Sequence, residues 1–276
     1  MRDSFDYTMM SCFQTCQRKY WLRFERNLVG KQEAMAPAFG KGIHKGLDEW
    51  YRSRDVAKAV EEFKKEFQED LERDDKRTWA LGKWILENYD VKYRDQPHEL
   101  IATEQTFNLA LPNGKRLIGR MDKIVKWHDA IWVVDHKTSS GLGPTYIKMA
   151  EPNLQFDGYV WAARQMGHQA VGVLVDALLV AKGLLDSSQR ARLTPLLRYD
   201  SYRSDERLKE FLEIVEGIQG DIADCEETGK WLPNFGACTQ FGECAYRRVC
   251  LEEKDFREIV LRAEYKEEVW DPTALD

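Results

Sequence analysis

Between Glu99 and Lys137 the apolar residues recur at a spacing of two, whereas in the preceding third of the chain they recur at three and four; this switch constrains the fold more than any other feature. Glu99–Leu111 and Lys115–Lys126 read as strands joined by Pro112-Asn113-Gly114, whose Asn-Gly pair favours a tight hairpin turn. Ile131–Lys137, rich in β-branched residues, is a third strand. Upstream, Met9/Met10, Phe13, Cys16, Tyr20 and Phe24 make the stripe of an amphipathic helix over Thr8–Phe24, with Ser4 or Asp6 as its cap. Further helices are expected over Pro37–Arg52, Val56–Leu71 and Trp84–Tyr93. Downstream come a helix from Pro152 to Met166 with the proline in its first position, strands over Val171–Val180 and Leu196–Tyr202, and a helix over Ser204–Glu227 capped by Ser204. This order predicts an α/β or α+β core with a helical N-terminal addition.

The 276 residues suit one large domain, since no linker or repeat divides them: a helical part over 1–98, a core over 99–230 and a Cys-rich segment with a tail over 231–276. The run Val171–Ala181 is too short to span a membrane, and no basic-then-apolar leader opens the chain, so a cytoplasmic protein without membrane contact is expected. A net charge of -6 argues against a passive coat on nucleic acid. It leaves room for an enzyme that gathers acidic ligands and grips phosphate locally, through Arg18-Lys19, Lys41, Lys45 or Arg247-Arg248.

If the last two strands of the meander turn at His128-Asp129, Asp122 lies opposite Asp135. Opposed carboxylates on a sheet repel, and a divalent cation such as Mg²⁺ or Mn²⁺ between them resolves the conflict. Lys137, two residues beyond Asp135, projects from the same face and can orient a water or stabilise charge on a phosphorane. The competing reading is a solvated ion-pair cluster. Val133-Val134, Ile118 and Met121 make these strands apolar enough to bury the carboxylates, which then need partners. Six cysteines in a cytosolic chain point to a metal rather than to disulfides. Cys238, Cys244 and Cys250 lie in a segment with Phe235-Gly236 and Phe241-Gly242 turns, and three thiolates need a fourth ligand.

Gly119-Arg120-Met121-Asp122 followed by Val134-Asp135-His136-Lys137-Thr138 resembles the core of the PD-(D/E)XK nuclease superfamily, in its RecB-like branch. Gly40-Lys41-Gly42-Ile43-His44 matches that branch's G-x-x-x-H motif, and Gln155-Phe156-Asp157-Gly158-Tyr159 its Q-x-x-x-Y motif. The resemblance implies a restriction-endonuclease-like core, a central mixed sheet flanked by helices. It implies His44, Asp122, Asp135 and the backbone carbonyl of His136 as metal ligands, Lys137 as catalytic lysine, Gln155 and Tyr159 as supporting residues and Glu104 as an accessory acid. His136 departs from the aromatic or aliphatic residue common between the acid and the lysine.

Cys16, in Cys16-Gln17-Arg18-Lys19-Tyr20, resembles the N-terminal cysteine of the iron-sulfur subset of these nucleases, which includes AddB-type subunits and CRISPR-adaptation exonucleases. With Cys238, Cys244 and Cys250 it would hold a [4Fe–4S] cluster, with zinc as the alternative metal. Cys12 and Cys225 are then ordinary buried thiols. The implied function is an exonuclease acting on DNA ends or single strands, in recombination, repair or phage DNA processing. A non-catalytic iron-sulfur DNA-binding or assembly module and a structure-specific endonuclease are the alternatives. The sequence has no G-x-x-x-x-G-K-[ST], so unwinding would fall to a recombination or helicase partner protein.

Overall fold

The computed structural model describes residues 2–32, 34–96, 98–143, 146–148, 151–240 and 243–273. In chain order the main elements are β1 (Ser4–Phe5), α1 (Tyr7–Thr15), α2 (Gln17–Tyr20), β2 (Leu28–Gly30), α3 (Met35–Ser53), α4 (Val56–Glu66), α5 (Trp79–Tyr93), β3 (His98–Ala110), β4 (Arg116–Trp127), β5 (Ala130–Ser139), α6 (Leu154–Gln165), β6 (Ala170–Leu179), β7 (Leu196–Tyr202), α7 (Asp205–Thr228), α8 (Arg247–Leu251), α9 (Arg257–Glu264) and β8 (Tyr265–Glu267). The chain forms two compact units: Ala34–Gln105 with Arg120–Asp205, and Met1–Glu33 with Thr106–Gly119 and Glu206–Asp276.

In the unit containing α3 to α6, a mixed sheet is flanked by helices: β4 pairs antiparallel with β5, β5 parallel with β6, and β6 antiparallel with β7. The β4–β5 turn has His128 and Asp129 at φ 46° and 61°, the left-handed pair that a two-residue hairpin turn requires. Its register sets Trp127 opposite Ala130 and Lys123 opposite Val134, as the two-residue turn predicts. Val125, Trp132, Val134, Leu174 and Leu178 pack from the sheet against Phe39, Ile43, Leu47 and Trp50 of α3 and against Ile85 and Tyr89 of α5. Helix approach depends on missing side chains. A Cβ on Gly42 would lie 2.8 Å from Phe67 Cβ, and one on Gly82 would lie 2.1 Å from Phe63 Cζ.

The other unit has its own core of Leu22, Leu28, Tyr246, Val249, Val260, Leu261 and Tyr265, with β2 and β8 as an antiparallel pair. In it, β1 runs parallel to the start of β4, Ser4 opposite Arg116.

Three local expectations need correction. The continuous helix over Thr8–Phe24 is broken at Cys16, whose extended φ of -167° ends α1 and starts α2; Asp6 caps α1 by accepting from Met9 N. Periodicity cannot see such a break, because α2 and the π-helical turn Trp21–Glu25 resume the same apolar spacing. The helix expected to end at Leu71 ends at Glu66, leaving Leu71 exposed. Pro152 lies outside α6; Asn153 is the cap, its side chain accepting from Gln155 N and Phe156 N. Phe235–Ala237 forms a single 3-10 turn, and the expected Phe241-Gly242 turn lies outside the described residues.

Candidate active site

Asp122 on β4 and Asp135 on β5 stand one step beyond the Lys123–Val134 pair of the register. Lys137 Nζ lies 2.9 Å from both oxygens of Asp135 and hydrogen-bonds to Oδ1, while Oδ2 is buried without a hydrogen-bond partner. The Asp135 side chain is 1% exposed and that of Lys137 35%, so the ammonium reaches toward solvent from a buried anchor. Burial lowers the affinity of Lys137 for its proton, but Asp135 and Asp122 outweigh it and raise the pKa. Burial likewise raises the Asp135 carboxyl, opposed by Lys137 and reinforced by Asp122.

Helix α3 brings His44 Nδ1 within 3.2 Å of Asp122 Oδ2. This approach uses the first residue of the Gly40–His44 motif: a Cβ on Gly40 would stand 3.3 Å from Thr138 Oγ1, just past Lys137 on β5. Asp122 is held well below the ordinary carboxylate range; burial pushes it up, but His44, the bond from His136 and Lys123 prevail. The same pairing raises His44 against the effect of burial. His44 and Asp122 line a cleft of about 330 Å³ with Lys41, Lys45, Glu104 and Arg120. Glu104 pairs with Arg120 at 2.9 Å and holds φ 48°, a left-handed conformation uncommon for glutamate. On α6, Gln155 Nε2 donates to Tyr159 OH at 2.9 Å, the shared face that four-residue spacing predicts.

The side chain of His136 is the part of the site that the sequence reading missed, having considered only its carbonyl. Its ring is wholly buried, with Nδ1 3.3 Å from Asp122 Oδ2 and Nε2 3.3 Å from Tyr89 OH. Burial and nearby Lys123 push its pKa down to about 4, so the ring is neutral, and Nδ1 donates to the carboxylate. Tyr89 donates to Asp176 Oδ2 at 2.5 Å, and Arg198 Nε and Nη2 reach Asp176 at 2.5 and 2.6 Å. Asp176 had a visible signal, since it interrupts the apolar run Val171–Ala181. Lys123 was also missed: it is fully buried, its ammonium 4.9 Å from the Tyr51 ring centroid. Tyr146, whose pKa is raised by burial and shaped by Lys137 and Asp135, is another.

A model of the PD-(D/E)XK nuclease superfamily matches residues 5–251. The chain belongs to the PD-(D/E)XK nuclease superfamily. This superfamily member also resembles, at TM-score 0.54 and 12% identity over 93% of this chain and 92% of the other, a crystal structure from Eubacterium rectale described as a candidate exonuclease; that likeness shows the fold. The structure of SSO0001 is a weaker match, at TM-score 0.38 and 13% identity over 91% of this chain and 87% of that one. No curated protein matches the chain.

In this superfamily member β4 carries Asp122, and β5 carries Asp135 and Lys137. Its side chains stand bonded to one another: among the described residues no three His, Cys, Asp or Glu converge as a metal-binding group. The donor chemistry still fits a hard divalent ion, with two buried carboxylates, an imidazole and an Asp135 Oδ2 that accepts no hydrogen bond.

In the other unit, Cys16, Cys238, Cys244 and Cys250 line one small cavity together with Lys19 and Arg247, and all are free thiols. Cys12 is not among the lining residues, and burial pushes its thiol up to about 12. No helix among the described residues is long and apolar enough to cross a membrane.

Proposed function

We propose that this nuclease hydrolyses DNA phosphodiesters as a Mg²⁺- or Mn²⁺-dependent exonuclease acting on ends or single strands. The observation that carries the reading is the contact between Lys137 and Asp135 on one strand with Asp122 on the next, within a superfamily member. His44, Asp122, Asp135 and the His136 carbonyl would hold the ion. When bound, it supplies Lewis-acid polarisation of the phosphodiester.

The chain's own residues do the rest. Asp135 fixes the Lys137 ammonium at 2.9 Å, and its raised pKa keeps it charged, so it donates to a phosphate oxygen as negative charge develops there. His136 holds the Asp122 carboxylate in one orientation. Gln155 and Tyr159, bonded to each other on α6, steady Lys137 or the strand; Glu104 is held as an accessory acid by Arg120. Recombination, repair or phage DNA processing, in the cytoplasm and with a partner that unwinds, is the setting such an activity suits.

Digestion of end-labelled linear DNA with Mg²⁺ or Mn²⁺ tests this. Wild type should release nucleotides and Lys137→Ala should be slower by about 10²–10⁴-fold; equal rates would sink the assignment. Circular single-stranded DNA should survive, and its cleavage would make the enzyme an endonuclease.

A [4Fe–4S] cluster on Cys16, Cys238, Cys244 and Cys250 is part of the same proposal. Their shared cavity, with two basic side chains to balance a cluster of anionic thiolates, supports it. Anaerobic purification should give stoichiometric iron and sulfide; zinc without sulfide would refute it.

A further inference from the structure

The unit that contains the cysteines also holds a cleft of about 400 Å³ to which none of the nuclease motifs contributes. Three stretches build it: Arg18, Trp21 and Arg26 from the α2 region, Lys230 and Trp231 after α7, and Lys254, Arg257 and Glu258 around the start of α9. Its charge is lopsided. Glu258, the carboxylate in the lining, is already engaged by Arg26 through two bonds of 2.7 and 3.0 Å. Arg257 donates to the carbonyls of Glu252 at 3.1 Å and Cys250 at 3.5 Å, so its charge meets no carboxylate. Lys230 and Lys254 are exposed and make no ion pair among the described residues. Three cations without a carboxylate partner, with Arg18 beside them, make one cleft of a chain with net charge -6 a local anion trap.

The aromatic lining narrows the class of anion. Trp21 and Trp231 are both partly exposed at the cleft, and the Arg26 guanidinium lies 5.2 Å from the Trp21 ring centroid. Cations that track a phosphodiester backbone, beside indole and guanidinium planes on which bases stack, are the equipment of a single-strand site. A free phosphate or an acidic peptide would use the charges and leave the rings idle.

We infer that this cleft is a second, non-catalytic binding site for single-stranded nucleic acid, built by Arg18, Lys230, Lys254 and Arg257 with Trp21 and Trp231. It would let the enzyme keep hold of a strand through contacts that take no part in bond cleavage. The inference rests on the nuclease reading for its choice of ligand.

The test measures anisotropy of a fluorescent oligothymidylate with the full chain, in a Lys137→Ala background so that the strand stays intact. Lys230→Glu/Lys254→Glu should weaken binding by more than tenfold and lower the slope of log K against log salt by about 1.4, since each single-strand phosphate contact contributes about 0.7. An equal-length abasic phosphodeoxyribose strand should bind the parent more weakly than oligothymidylate. Unchanged affinity and slope in the double variant, with an unchanged melting temperature, would overturn the site; equal binding of the abasic strand would reduce it to a general anion site and overturn the nucleic-acid assignment. Both lysines are exposed, so the variant should melt as the parent does. If it does not, Lys230→Gln/Lys254→Gln replaces it, with the same criteria.

The nuclease reading fails separately. It falls if the chain carrying Lys137 cuts no DNA, whatever the cleft binds; the cleft falls if that chain cuts DNA and the lysine variants bind as the parent.

Discussion

His136 meets Asp122 twice on the same oxygen: its backbone N–H donates to Oδ2 at 3.0 Å and its ring Nδ1 lies 3.3 Å from it. One residue thus grips the carboxylate from strand and side chain, and the far side of its ring lies 3.3 Å from Tyr89 OH, which donates to Asp176. Partners of this kind fix the direction in which a ligand's lone pairs point.

His136→Phe retains the backbone bond and ring volume but removes the side-chain hold. The Mg²⁺ or Mn²⁺ concentration for half-maximal DNA hydrolysis should rise about 10–100-fold, the usual cost of losing an outer partner. A metal titration of activity at saturating DNA checks this, and an unchanged midpoint would show the ring to be packing alone.

Arg198→Ala leaves Asp176 charged in a buried site, its carboxyl no longer held down by the guanidinium. Breaking such a pair from one side should cost about 3–5 kcal/mol, measured by urea unfolding. Asp176→Leu/Arg198→Met, which removes both charges, should cost less than the single change.

Gly82→Ala places a methyl group against the Phe63 ring, where a Cβ would lie 2.1 Å from Cζ. With the ring held between helices, the expected loss is about 1–3 kcal/mol. A lowered melting temperature with an unchanged metal requirement would separate this packing effect from the site. A gain in stability would contradict it.

His98 accepts from Arg54 Nη2 at 2.9 Å, which requires an unprotonated Nε2, and burial together with Arg54 pushes its pKa down from 6.5 to about 4. The unfolded chain therefore takes up this proton before the folded one as pH falls. Its contribution is fully present above pH 6.5 and is lost progressively toward about pH 4. His98→Gln, which can still accept from Arg54, should make urea stability less steep between those limits; an unaltered slope would rule out this origin.

The β4–β5 hairpin was determined by the sequence itself. The two-residue turn at His128-Asp129 fixes the register, and that register brings Asp122 and Asp135 together. The four-residue spacings of Gly40–His44 and Gln155–Tyr159 were equally local, because a helix turns the same way wherever it stands. Tertiary structure decided what depended on distant neighbours. The backbone at Cys16 breaks a stripe that reads as continuous, and Asn153 rather than Pro152 starts α6 because its side chain reaches two backbone N–H groups. The partners of His136 come from β4, α5 and β6, with Arg198 of β7 bonded to Asp176 behind them, and the basic cleft draws on segments more than two hundred residues apart. Hydrogen bonds and uncompensated charge depend on distance in space, and spacing along the chain reports that distance only within a helix, a strand or a tight turn.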